Sequence, residues 1–181
     1  MKKKSIIMFV AVSMLAFIGC TSIPAGLGPL KVVDKVDAQR YLGRWYEVAR
    51  FPHSFEQNLV GTTAEYALRQ DGKIDVRNSG FEKTLDGAYS EVTAVARIPD
   101  ASESGRLKVT FFGIFDSDYL IFGLDEKDYA WALVGSDTRS FLWFLSRTPQ
   151  VDDALFEKMK QIAAGQGYDV SKLQKVPQKP R

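Results

Sequence analysis

Thr62-Thr63-Ala64-Glu65-Tyr66-Ala67-Leu68-Arg69-Gln70-Asp71-Gly72-Lys73-Ile74-Asp75-Val76 decides the fold. Thr62, Ala64, Tyr66 and Leu68 alternate with Thr63, Glu65, Ala67 and Arg69, the two-residue period of a strand with one wet face. Gln70-Asp71-Gly72-Lys73 then breaks the run with a glycine that accepts positive φ, which predicts a hairpin. Working outward, short runs rich in Val, Ile, Thr, Tyr, Phe and Trp recur between turn residues. They place strands at 44–51, 62–69, 74–81, 90–98, 107–112, 119–124, 129–135 and 141–146. After Pro149 the period lengthens. Asp152 stands at an N-cap position, and Leu155, Met159, Ile162 and Ala163 share one helical face before Gly165 and Gly167. The expected class is all-β. Eight sequential strands with short loops form an antiparallel up-and-down β-barrel, which removes open edges, with one C-terminal α-helix packed outside.

The chain has 181 residues, 24 Lys+Arg, 22 Asp+Glu, one Cys and one His. Lys2, Lys3 and Lys4 precede an uncharged apolar run over 6–19, a pattern expected of a cleaved secretory signal. The run is short of the roughly 20 apolar residues of a spanning helix. Three of the positive charges lie in that segment, so the remaining chain is near neutral, without the basic block that nucleic-acid binding needs. One Cys cannot form an intrachain disulfide. One His, at 53 in an expected loop, leaves little for Ser-His or Cys-His catalysis or for a zinc site. Neither metal nor cofactor is implied. His53 reads as a surface residue.

Phe17-Ile18-Gly19-Cys20 resembles a bacterial lipobox, in which Cys20 is acylated by a diacylglyceryl group and palmitate-type chains and becomes the new N-terminus. Each buried CH₂ contributes about 0.8 kcal/mol, so two or three chains anchor durably. Thr21, rather than Asp, follows Cys20, which in such lipoproteins implies delivery to the outer membrane, with the periplasmic face expected. The division expected is 1–19 signal peptide, 20–33 lipidated N-terminus and tether, and 34–181 barrel with helix.

Three further blocks carry a family resemblance. Gly43-Arg44-Trp45-Tyr46-Glu47 opens the first strand after a turn-like 37–42, Asp128-Tyr129 precedes the seventh, and Ser146-Arg147-Thr148-Pro149 closes the eighth. In this order they resemble the three motif blocks of the lipocalin family. The runs 37–47, 107–113 and 142–149 are similar to its bacterial outer-membrane lipoprotein branch. Lys127 stands where the second block usually has Thr. In a meander these blocks meet at one barrel end, so Gly43, Trp45, Asp128, Tyr129 and Arg147 are expected to close it, with Arg147 stacked on Trp45.

The other end is then the mouth, formed by loops 52–61, 82–89, 113–118 and 136–140. Phe55, Leu59 and Val60 in the first loop suggest a partial lid. Alternation turns Ala49, Phe51, Tyr66, Leu68, Val76, Asn78, Val92, Ala94, Val109, Phe111 and Trp143 inward. Of these Phe51, Tyr66, Asn78, Val92, Ala94, Val109, Phe111 and Trp143 are the candidate ligand contacts. An apolar set with one amide suits a hydrocarbon chain with a polar end, although a filled core has the same composition. The resemblance implies noncovalent binding of a fatty acid or lysophospholipid and no catalytic step; the head would stay at the rim, where Lys83, Arg139 or His53 could meet it. Two other readings stay open. One is an envelope-structural or partner-binding lipoprotein with a filled barrel, for which a homodimer is an open arrangement. The other is a barrel enzyme using a buried carboxylate, for which Glu47 and Glu65 are the candidates.

Overall fold

The computed structural model describes residues 22–179. Eight strands form a closed antiparallel meander: β1 Gly43–Arg50, β2 Leu59–Leu68, β3 Ile74–Glu82, β4 Tyr89–Arg97, β5 Arg106–Phe111, β6 Phe115–Leu124, β7 Trp131–Gly135 and β8 Leu142–Ser146. Closure rests on β1, whose first half pairs with β2 (Gly43↔Tyr66, Trp45↔Ala64) and whose second half pairs with β8 (Tyr46↔Ser146, Arg50↔Trp143). The expected helix, α2 Asp153–Gly165, packs outside; the Asp152 carboxylate caps it by accepting from the Leu155 N–H at 2.7 Å. Phe156, Met159 and Ala163 form its buried face, with Leu155 and Ile162 at the margin.

Three elements lie beyond the expected pattern. The turn-like segment is a short helix, α1 Ala38–Tyr41, capped by Asp37. A two-residue strand, β9 Gln174–Lys175, pairs with Ala49 and Arg50. Strand β6 begins at Phe115, because Asp116 and Asp118 pair across to Thr110 and Lys108. Arg97–Asp116 and Lys108–Asp118 ion pairs, each 2.6 Å, replace apolar contacts there, so alternation gives no sign of the extension.

A β-bulge in β1 decides which of its side chains face inward. In β1 an extra residue at Val48 lies between the pairs Glu47↔Leu145 and Ala49↔Phe144. Trp45, Glu47 and Arg50 therefore share the inner face, while Val48, Ala49 and Phe51 belong to the layer beneath α2. This corrects the expected inward placement of Ala49 and Phe51; the Phe51 ring meets the edge of Tyr168 at 5.8 Å. Leu68 is also not in the wall, being 48% exposed beside the β2–β3 turn.

The segment expected as a free tether is partly docked. Leu30 is fully buried under α2, its N–H donates to Asp137 at 2.6 Å, and Val33 N–H donates to the Ile121 carbonyl. Burial of one apolar side chain among polar neighbours fixes the run from Leu27 onward. Cys20 and the segment expected to be a signal peptide lie outside the described residues.

Candidate functional site in the barrel interior

Connections alternate between the two ends of a meander, so the start of β1, the β6–β7 turn and the end of β8 meet at one end. There Arg147 places its guanidinium 3.8 Å from the Trp45 ring centroid. It also donates to the carbonyls of Arg40 (2.7 Å) and Arg44 (2.8 Å). Gly43 has φ +87°, a conformation that favours glycine, and lets the chain turn from α1 into β1. The Tyr129 hydroxyl accepts from Asp37 N–H at 2.9 Å, and Arg40 covers its ring. Gly43, Trp45, Tyr129 and Arg147 thus converge. Asp128 does not join them: it is exposed, and Asp125 instead accepts from Ala130 N–H within the turn.

Above this plug lies a floor of three phenols. The Tyr119 hydroxyl is 2.8 Å from those of both Tyr41 and Tyr66. Burial pushes all three phenols well above their ordinary range, so they remain neutral. Tyr66, expected as a lining residue, is part of this floor.

The upper wall is different. Cross-strand register sets Ala64, Asn78 and Val92 in one row, and Tyr66, Val76, Ala94 and Phe111 in the next. Ala94 and Val109 are buried, whereas Asn78, Val92, Phe111 and Trp143 are half-buried. An inward side chain in a closed barrel keeps exposure only where the interior has space. The wall above the tyrosines is therefore partly accessible, and it is apolar except at Asn78 and β1. Two other clefts, of about 410 Å³ beside Pro29–Asp34 and about 270 Å³ beside Leu68 and Ile98, lie on the outer surface.

Charge enters the interior from β1 and the loop after it. Arg50 donates to Glu47 at 2.6 Å and to the carbonyls of Glu56 (2.6 Å) and Leu59 (2.8 Å). It thereby holds the loop over the mouth. Glu56 accepts from Trp143 Nε1 at 3.3 Å. Burial, and then the neighbouring Glu56, push the Glu47 carboxyl up to about 8; burial also raises Glu56. The two carboxyls lie close together and the guanidinium bonds only that of Glu47, so full ionisation of both is disfavoured. Thr62 Oγ1 is buried beside them without a hydrogen-bond partner.

His53 is not a surface residue. Its side chain is 6% exposed, stacked on Phe55 at 4.0 Å and tilted against Trp143 at 5.3 Å. Burial, and then Arg50, lower its pKa to about 4, leaving a neutral imidazole. Its Nε2 stands 3.3 Å from Glu56, yet neither ring nitrogen makes a hydrogen bond. Arg139 is likewise no rim charge, since it is buried and ties Asp137 and Gln166 carbonyls together. Lys83 is exposed at the rim. Glu65 faces outward between Arg44 and Arg77. Arg50, Glu56 and Thr62 were not anticipated. The available signal was the pair Glu47 and Arg50 around the apolar Val48-Ala49 of β1, whose shared inward direction only the bulge creates.

Among the described residues no group of three or more His, Cys, Asp or Glu is placed to hold a metal. The arrangement can seat an apolar chain above a neutral floor and meet its polar end with an amide, a guanidinium and protonatable carboxyls.

A family model for a lipocalin-like domain matches residues 36–178. The outer membrane lipoprotein Blc of Escherichia coli is 41% identical over 166 residues, covering 91% of this chain and 92% of that one. Its Vibrio cholerae counterpart is 39% identical over 155 residues, 86% and 88% of the two chains. Mouse apolipoprotein D is 34% identical over 78% and 77%. Among solved structures, insecticyanin from the tobacco hornworm superposes with TM-score 0.68 at 22% identity (84% and 86% covered). Lobster apocrustacyanin A1 gives 0.64 at 17% (88% and 94%). At those identities the structures speak for the fold alone.

Proposed function

The chain belongs to the lipocalin family, and from that premise we propose that it is a membrane-anchored carrier of one small hydrophobic ligand, a fatty acid or a lysophospholipid. The observation that carries this reading is the half-buried wall of Val92, Phe111 and Trp143, with the single amide of Asn78, above the tyrosine floor. An acyl chain entering from the mouth loses water contact along its length at about 25 cal/mol per Å² and stops at the phenols. Its polar end remains near Asn78, Arg50 and Glu56. No chemical step is part of the proposal. His53 is neutral and stacked, and Glu47 is occupied by Arg50, which supports binding rather than catalysis.

The same proposal places the protein at the outer membrane, periplasmic side, through acylated Cys20 after removal of 1–19. Relatives named as outer membrane lipoproteins support that location. A filled-barrel structural role is less well supported, because a filled barrel would leave no exposure on its inner wall. Quenching tests the proposal. Titration with a dibrominated stearate should quench Trp143, and the Trp143→Phe chain should lose most of that quenching. Quenching that is unchanged in Trp143→Phe would remove the ligand from the barrel.

A further inference from the structure

Seven large apolar side chains stand exposed among the described residues, and five of them sit on the mouth rim: Phe55, Tyr89, Phe112, Ile114 and Phe115. Phe112 and Ile114 are 72% and 74% exposed. Such clustering on one end is not the scattered exposure of ordinary surfaces.

Local structure makes the clustering harder to dismiss. The β5–β6 turn has Phe112 at φ 52° and Gly113 at φ 73°, with Ile114 N–H donating to the Phe111 carbonyl. Positive φ at both central positions favours Asn-Gly, and a phenylalanine in the first is strained. The turn thus keeps an exposed aromatic where a polar residue would fold more easily. Because β6 pairs with β7 only from Leu120 onward, Phe115–Tyr119 pair with β5 alone and the tip of this hairpin has no strand beside it on the β7 side.

The N-terminal segment leads to the same end. Asp37 bonds Tyr129 at the closed end, Leu30 bonds Asp137 in the β7–β8 loop, and Leu27 packs at Gly167. The end of α2 is itself tied to that loop through Arg139 and the Gln166 carbonyl. The chain therefore climbs the barrel toward the mouth as it is followed back to Cys20. Seven Cα–Cα steps separate Leu27 from Cys20, a reach of at most about 25 Å.

We propose that the mouth rim is a membrane-docking surface, with Phe112, Ile114 and Phe115, flanked by Phe55 and Tyr89, entering a phospholipid leaflet so that the barrel opens onto lipid. A set of exposed aromatic and aliphatic tips from separate loops suits a fluid leaflet, which adapts to each tip. The tether argument rests on the acylation proposed above; the rim argument does not.

Two measurements test this. Nitroxide labels are placed on Ile114→Cys and, at the opposite end, Leu68→Cys in the acylated chain, reconstituted in phosphatidylethanolamine–phosphatidylglycerol vesicles. The label at 114 should collide more with oxygen than with a water-soluble nickel chelate, and the label at 68 should do the reverse. Equal nickel access at both positions overturns the proposal. So does a label at 114 immobilised by concentration-dependent dimerisation without lipid, which would give the rim to a second copy. In the second measurement the unacylated Cys20→Ser mature chain is floated with the same vesicles. Combined Phe112→Ser, Ile114→Ser and Phe115→Ser should lower its partition about tenfold or more; an unchanged partition also overturns docking. These side chains are exposed, so ligand uptake in the barrel should survive the triple change. Failure of docking is thus separable from failure of the carrier reading.

Discussion

Arg147 stacks 3.8 Å over Trp45 while the same guanidinium collects carbonyls from α1 and β1. One side chain therefore seals the barrel end and joins the last barrel strand to the first. A lysine keeps the charge but loses the planar fork. Arg147→Lys should destabilise the fold by about 2 kcal/mol in urea unfolding, with ligand affinity in the folded protein little changed.

The phenol chain has a single centre. Tyr119 is the shared partner of Tyr41 and Tyr66, so Tyr119→Phe strands two buried hydroxyls at once. The expected loss is about 1–2 kcal/mol by urea unfolding, and Tyr41→Phe, which leaves the Tyr66–Tyr119 bond intact, should cost less.

Glu47 gives stability a definite pH dependence. Its carboxyl ordinarily titrates at 4.5 but is raised to about 8 by burial and by Glu56. Between those values the folded state holds more protons than the unfolded, so this group's contribution falls as pH rises. His53, lowered from 6.5 to about 4 by burial, acts in the opposite sense and costs stability as pH drops through that interval. Urea midpoints at pH 5, 6.5 and 8 should decline less steeply toward pH 8 in Glu47→Gln than in the parent. An identical slope would mean that Glu47 does not titrate as its surroundings require.

Filling the upper interior separates binding from folding. Val92 is half-buried on the inner wall, opposite Asn78. Val92→Trp should weaken fatty-acid binding about tenfold or more in calorimetric titration, while the unfolding free energy stays within about 0.5 kcal/mol of the parent.

Much of this was legible in the sequence because strands with one buried face advertise themselves by alternation. The eight strands, the capped helix and the convergence of Gly43, Trp45, Tyr129 and Arg147 follow from period and meander order. What was hidden has specific causes. A single extra residue at Val48 reverses the face of everything after it, which turned Phe51 outward and Arg50 inward. Ion pairs, not apolar residues, extend β6. His53 is buried through tertiary stacking on Phe55 and Trp143 that no local pattern encodes. Leu30, alone in a Pro- and Gly-rich stretch, gave no periodic sign that it docks.

The central claim is that the upper barrel holds one lipid chain, and native mass spectrometry of the delipidated mature chain tests it most directly. Titration with lysophospholipid and with fatty acid should give one adduct per barrel, displaced by the competing lipid and weakened in Val92→Trp. Absence of any adduct, under conditions where a known lipid-binding barrel shows one, would contradict the carrier reading and leave the closed-floor barrel with a structural role.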